Sequence, residues 1–111
     1  MKSYTDLEQS KKLAEFLPLE TADMYYWCGE DLRIGSHKAM DLDYDIPCWS
    51  LAALFNMLPK SARLERGSST ELCRVTLPVE LKCSDWYLEP IDAVFEIVCW
   101  SLKNDISLSF K

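Results

Sequence analysis

Ile91, Val94, Phe95, Val98 and Leu102 fall at i, i+3, i+4, i+7 and i+11, the most regular helical pattern in the chain. That spacing lays one apolar stripe along a helix, and a stripe of this kind must be buried against another element. The ends of the pattern agree with a helix. Pro90 suits the first helical position, Asp92 the positive end of the dipole, Lys103 the negative end and Asn104 a left-handed stop.

Two stretches upstream supply what the helix can pack on. Cys73, Val75 and Leu77 alternate with Arg74 and Thr76, and Val79, Leu81 and Cys83 alternate with Glu80, Lys82 and Ser84. A period of two reads as strands over 72–77 and 79–87, with Pro78 marking an edge, a break or the turn between them. The aromatic run 24–28 suits a strand, with a turn at 29–31 and a short partner strand at 32–34. Asp41, Asp43 and Asp45 alternate with Leu42, Tyr44 and Ile46, which predicts a strand with three carboxylates on one face.

Two more helices are expected. Thr5 and Glu8 have the spacing of a capping box, so a helix is predicted over 6–16, with Pro18 ending it and 20–23 forming a turn or one helical turn. Between Ile46 and Pro59 an apolar helix is predicted to start at Pro47, with Cys48, Leu51, Phe55 and Leu58 as its stripe. The polar stretch 60–71 reads as a loop, and 105–111 as a fraying tail or a short strand through Ile106, Leu108 and Phe110. These elements sum to an α+β fold in a single domain over 1–111. The expected arrangement is a small antiparallel sheet of about four strands with about three helices largely on one face.

Charge narrows the function classes. Eighteen acids against 12 bases give a net charge of −6, which opposes nonspecific binding to nucleic acid or to anionic membranes. No apolar run approaches the length of a membrane span, and the opening residues do not read as a signal peptide. Cys28, Cys48, Cys73, Cys83 and Cys99 are odd in number and scattered, without a C-x-x-C pair. They read as reduced thiols, and the chain as cytoplasmic. No glycine pattern for a phosphate or a dinucleotide is present, so no cofactor is expected.

Three groups of residues are candidates for chemistry or recognition. Cys48, placed in the first turn of the predicted central helix, would feel the dipole that favours thiolate. Its only possible imidazole partner is His37, in the opposite order from papain-like hydrolases, and three nearby carboxylates oppose ionisation. A packed thiol is the plainer reading. Asp41, Asp43 and Asp45 match the first residues of a calcium loop, but Ile46 stands at the glycine position and Ala52 at that of the bidentate glutamate. A solvated acidic face is the plainer reading there. Tyr25, Tyr26 and Trp27, with Trp86 and Tyr87, are consecutive aromatics that a strand must direct to both faces. Some are therefore expected at the surface as an interaction patch.

Three segments carry a family resemblance: 20–27 (ETADMYYW), 47–55 (PCWSLAALF) with Leu58 and Pro59, and 90–97 (PIDAVFEI). Together they resemble small uncharacterised proteins of gut-bacterial phages and integrated mobile elements. The resemblance brings no activity and no catalytic residue. It implies a setting in which small acidic proteins bind host machinery. The leading expectation is a non-enzymatic protein that binds a protein partner or itself through aromatics, without direct nucleic-acid or membrane contact. An acidic mimic of nucleic acid, and a thiol hydrolase using Cys48 and His37, are the alternatives.

Overall fold

Asp6, not Thr5, opens the first helix. In the computed structural model, which describes residues 2–41 and 43–109, α1 spans Leu7–Ala14. The Asp6 carboxylate accepts from Gln9 N at 2.8 Å, and the Gln9 side chain accepts from Asp6 N at 3.1 Å. The predicted capping box is therefore present but shifted by one residue. Thr5 is fully buried instead. Its hydroxyl shares a 2.7 Å hydrogen bond with Ser10 Oγ and accepts from Trp49 N at 3.1 Å. A residue tied to a neighbouring strand in this way is not available to cap its own helix.

The first sheet has the order β2-β1-β3, all antiparallel, from β1 (Met24–Trp27), β2 (Asp31–Ile34) and β3 (Ile46–Cys48). Trp27 pairs with Asp31 across a turn in which Cys28 and Gly29 both take positive φ. The strand expected at 41–46 is not there. Asp43 and Tyr44 form a turn instead, with Asp45 N donating to Asp41 O at 2.8 Å and Asp43 N to Asp41 Oδ1 at 3.1 Å. The Asp45 carboxylate is buried and accepts from Cys28 N and Asp41 N, each at 2.8 Å. An aspartate that satisfies two main-chain amides holds a turn together, which the alternating pattern does not reveal. Leu42, the first apolar residue of that pattern, lies outside the described residues.

The central helix also starts later than its proline suggests. Pro47 lies in β3 opposite Tyr25, and α2 spans Leu51–Met57 with Ser50 as its N-cap. Three contacts keep the preceding residues extended. Thr5 N donates to Trp49 O, Leu51 N donates to Ser3 O, and the Asp23 carboxylate accepts from Ser50 N and Ser50 Oγ. Proline is tolerated in β3 because it is an outer strand. Leu54, Met57 and Leu58 are buried, while Leu51 and Phe55 pack at the edge of the core. Cys48 is therefore a strand residue rather than a member of the helical stripe.

The second sheet, β4-β5-β6, is formed by β4 (Arg63–Arg66), β5 (Cys73–Leu77) and β6 (Lys82–Cys83). Two three-stranded sheets thus replace the single sheet of about four strands, within the expected α+β class. β5 alternates as predicted, with Cys73, Val75 and Leu77 buried. β4 lies in the stretch expected to be a loop; its charged residues mark it as an edge strand rather than as coil. The expected strand 79–87 breaks up, leaving only β6 and an isolated bridge at Tyr87. Pro78 begins a turn, and Val79 and Leu81 are exposed at its tip, Leu81 with φ +54°. Ser84 takes over part of the ladder, its hydroxyl accepting from Val75 N at 2.9 Å. Pairing resumes where Cys73 and Tyr87 exchange two main-chain bonds.

The last helix, α3 (Pro90–Lys103), matches its prediction closely. It buries Ile91, Ala93, Val94, Ile97 and Val98 against β5 and α2. The left-handed stop falls one residue late, at Asp105 with φ +55°, where Ile106 N reaches back to Ser101 O at 3.0 Å. The tail forms no strand over its described residues, but Ser109 N donates to Met57 O and Leu108 packs on the core. Phe110 lies outside the described residues.

Candidate functional site

Only part of α3's apolar surface is used by the core. Phe95, Glu96, Cys99, Trp100 and Lys103 follow one another at helical spacing along a second face. Lys12 of α1, Lys82 of β6 and Tyr87 close over that face and leave an open cleft of roughly 320 Å³. The ammonium of Lys12 stands 5.9 Å from the centre of the Phe95 ring, and that of Lys82 stands 5.6 Å from Trp100. Both are at cation–π distance, so the aromatic walls hold the two lysines near the cleft.

One carboxylate faces these cations, and it is already engaged. Tyr87 Oη donates to Glu96 Oε1 at 2.6 Å, and Asp85 N lies 3.3 Å from each Glu96 oxygen. The bond to Glu96 pushes the Tyr87 phenol up to about 12, with partial burial adding to the effect. Among the described residues no ion pair involves Lys12, Lys82 or Lys103. The cleft therefore offers three lysines without a carboxylate partner among the described residues, two of them over aromatic rings, in a chain whose net charge is −6. Burial raises the Cys99 thiol pKa more than Lys12 and Lys103 lower it, so at neutral pH this cysteine is a thiol wall rather than a nucleophile.

The aromatics expected to form one patch are dispersed. Tyr25 is buried, with its ring against Gly35. Tyr26 is half-buried and donates to Thr5 O at 2.7 Å. Trp27 is 46 % exposed, with the Arg33 guanidinium 4.8 Å above its ring. Trp86 is 42 % exposed beneath Arg74 at 4.5 Å, and Arg74 also bonds Glu65 at 3.2 Å. Trp86 lines a hollow with Arg66 and the loop after β4, while its neighbour Tyr87 lines the lysine cleft. Consecutive aromatics do point to opposite faces, but the two groups lie on different sheets.

Cys48 has no exposed surface. Its thiol donates to Thr5 O at 3.3 Å and accepts from Thr5 Oγ1 at 3.4 Å. Burial raises its pKa above the usual thiol value against the lowering effect of Thr5, Ser10 and Tyr26. It sits in a strand, so the helix dipole expected to activate it is not beside it. His37 lies in a short helical turn, His37–Ala39, and is not among the groups bonded to Cys48. The three aspartates do not share a face: Asp41 and Asp43 are exposed, and Asp45 points inward to two amides. Among the described residues no group of three or more His, Cys, Asp or Glu side chains is placed to hold a metal ion. Nor is any helix among them long and apolar enough to cross a membrane.

The cleft was not visible as a unit in the sequence, though one signal pointed to it. Phe95, expected in the buried stripe, is only half-buried and lies on this second face with Cys99 and Trp100, while Ile97 is buried in the core, so α3 carries more apolar surface than one face can bury. The lysines that complete the site come from elements far apart in the chain. No protein-family model, no curated protein and no solved structure matches this chain.

Proposed function

We propose that this chain is a non-enzymatic binding protein that captures a short acidic segment of a protein partner in the cleft between α1, β6 and α3. The observation that carries this reading is a cleft lined by three lysines outside any ion pair among the described residues, with Lys12 over Phe95 and Lys82 over Trp100. Carboxylates of the segment pair with the ammonium groups, and an adjacent apolar or aromatic side chain rests on the rings. The cleft's volume of about 320 Å³ suits a few side chains and stands at the small end of ligand sites. A long polyanion is a poorer fit, because the surplus acids elsewhere on the chain would repel it.

The resemblance to small phage and mobile-element proteins supports a setting in which the partner is host or phage machinery. Five free cysteines, two of them exposed, support action in a reducing compartment, the cytoplasm. The test is a titration with a short peptide carrying adjacent glutamates beside a phenylalanine, followed by tryptophan fluorescence at rising ionic strength. Binding should weaken with salt, and each of Lys12→Gln, Lys82→Gln and Lys103→Gln should weaken it by roughly three- to tenfold. Binding indifferent to all three substitutions would refute the reading.

A further inference from the structure

β2 forms the edge of its sheet, with Asp31, Arg33 and Ile34 exposed, Ile34 at 86 %. Gly35 N donates to Asp23 O at 3.1 Å, which extends the β1–β2 ladder by one bonded pair. Bonded and non-bonded pairs alternate along an antiparallel ladder. Asp31 and Arg33 therefore turn their main-chain groups toward β1, while Leu32 and Ile34 turn theirs to the open edge. We propose that a second copy of this chain docks on that edge, β2 against β2, antiparallel and centred on Leu32.

Charge complementarity selects both the occupant and the register. With Leu32 opposite Leu32, the two residues exchange both of their outward main-chain bonds. Asp31 then stands opposite Arg33 of the second copy, twice by symmetry. Both charge pairs are of the non-hydrogen-bonded kind, in which facing side chains come closest. A slip of one residue sets outward main-chain groups against inward ones and breaks the bonding. Centring on Asp31 instead would set Asp31 against itself, and centring on Arg33 would set Arg33 against itself.

The other edges are less suited: β6 is two residues long, and the chain leaving β3 already bonds residues 3–5. β4 centred on Leu64 would set Arg63 opposite Glu65, but Glu65 is already bonded to Arg74 at 3.2 Å. Among the described residues neither Asp31 nor Arg33 belongs to an ion pair. The product is a six-stranded sheet in the order β3-β1-β2-β2-β1-β3, with Trp27 and its Arg33 cover close to the new seam.

Analytical ultracentrifugation from about 10 µM to 1 mM, where short-strand pairing becomes measurable, tests this. The wild-type chain should show reversible monomer–dimer exchange. Asp31→Arg places like charges opposite at both sites and should weaken association by about tenfold or more. The double variant D31R/R33D reverses both partners and should restore it. Leu32→Pro, which removes an N–H that faces the open edge, should abolish it. Circular dichroism melts establish that each variant is folded, and Arg33→Asp replaces Asp31→Arg if the latter misfolds. A wild-type chain monomeric throughout, a folded single variant that dimerises undiminished, or a folded double variant that fails to recover would each overturn the proposal.

Discussion

Replacing Thr5 with valine removes one hydroxyl and little volume, which makes it a sharp test of how the N-terminal segment is held. That hydroxyl shares a bond with Ser10 Oγ, accepts from Trp49 N and lies against Cys48 Sγ, in a place with no exposed surface. Valine leaves the Trp49 amide and the Ser10 hydroxyl buried without their partner. A buried polar group left unpaired costs about 1–3 kcal/mol, so the two together should cost about 2–6 kcal/mol. For a chain of this size that lowers the melting temperature by about 10–30 °C. Thr5→Ser keeps the hydroxyl and should cost only about 1 kcal/mol for the lost methyl. Asp6→Ala removes the true cap and should also cost about 1 kcal/mol. Urea unfolding of the three variants gives the ranking, provided the slope with denaturant is unchanged. A valine variant within about 1 kcal/mol of wild type, or no less stable than Asp6→Ala, would refute the argument that Thr5 is an internal anchor rather than a helix cap.

Other consequences follow from the same contacts. Tyr87 should resist ionisation until near pH 12, read by ultraviolet absorbance, and Glu96→Gln should bring its titration down toward the ordinary value. Because the folded phenol holds its proton more tightly than the unfolded one, its contribution to stability is complete below pH 10 and is lost as pH rises from 10 to about 12. Leu81→Gly should stabilise the fold by roughly 0.5–1 kcal/mol in thermal unfolding, since relief of the left-handed conformation outweighs glycine's extra chain entropy; destabilisation would contradict the +54° torsion. A thiol reagent should modify exposed Cys28 and Cys83 quickly, Cys99 more slowly, and Cys48 and Cys73 only on unfolding. Rapid modification of Cys48 would count against its burial.

What the sequence made legible was whatever local pattern controls. α3 and β5 emerge almost as read, because a stripe at helical spacing and a period-two run each have only one way to be buried. The structure departs from the local pattern where a short polar side chain reaches across the chain. Asp45 bonds Cys28 N, Asp23 bonds Ser50, and Thr5 bonds Trp49. Those three contacts turn an expected acidic strand into a turn, delay α2 by several residues and move the cap of α1. β4 is not legible in the sequence because an edge strand rich in charge looks like a loop from its residues alone. The cleft depends on Lys12, Lys82 and α3 meeting in space, which no local spacing records. The surplus apolar residues on α3 were its one visible trace.

The proposed binding surface is the lysine cleft, and chemical-shift mapping tests it most directly. Nitrogen-15-labelled protein would be titrated with a panel of short acidic peptides, each carrying one aromatic residue. The predicted result is saturable perturbation of Lys12, Lys82, Tyr87, Phe95, Cys99, Trp100 and Lys103, lost in the triple Lys→Gln variant. Perturbation centred on Arg66 and Trp86 instead, or none from any peptide at millimolar concentration, would contradict it.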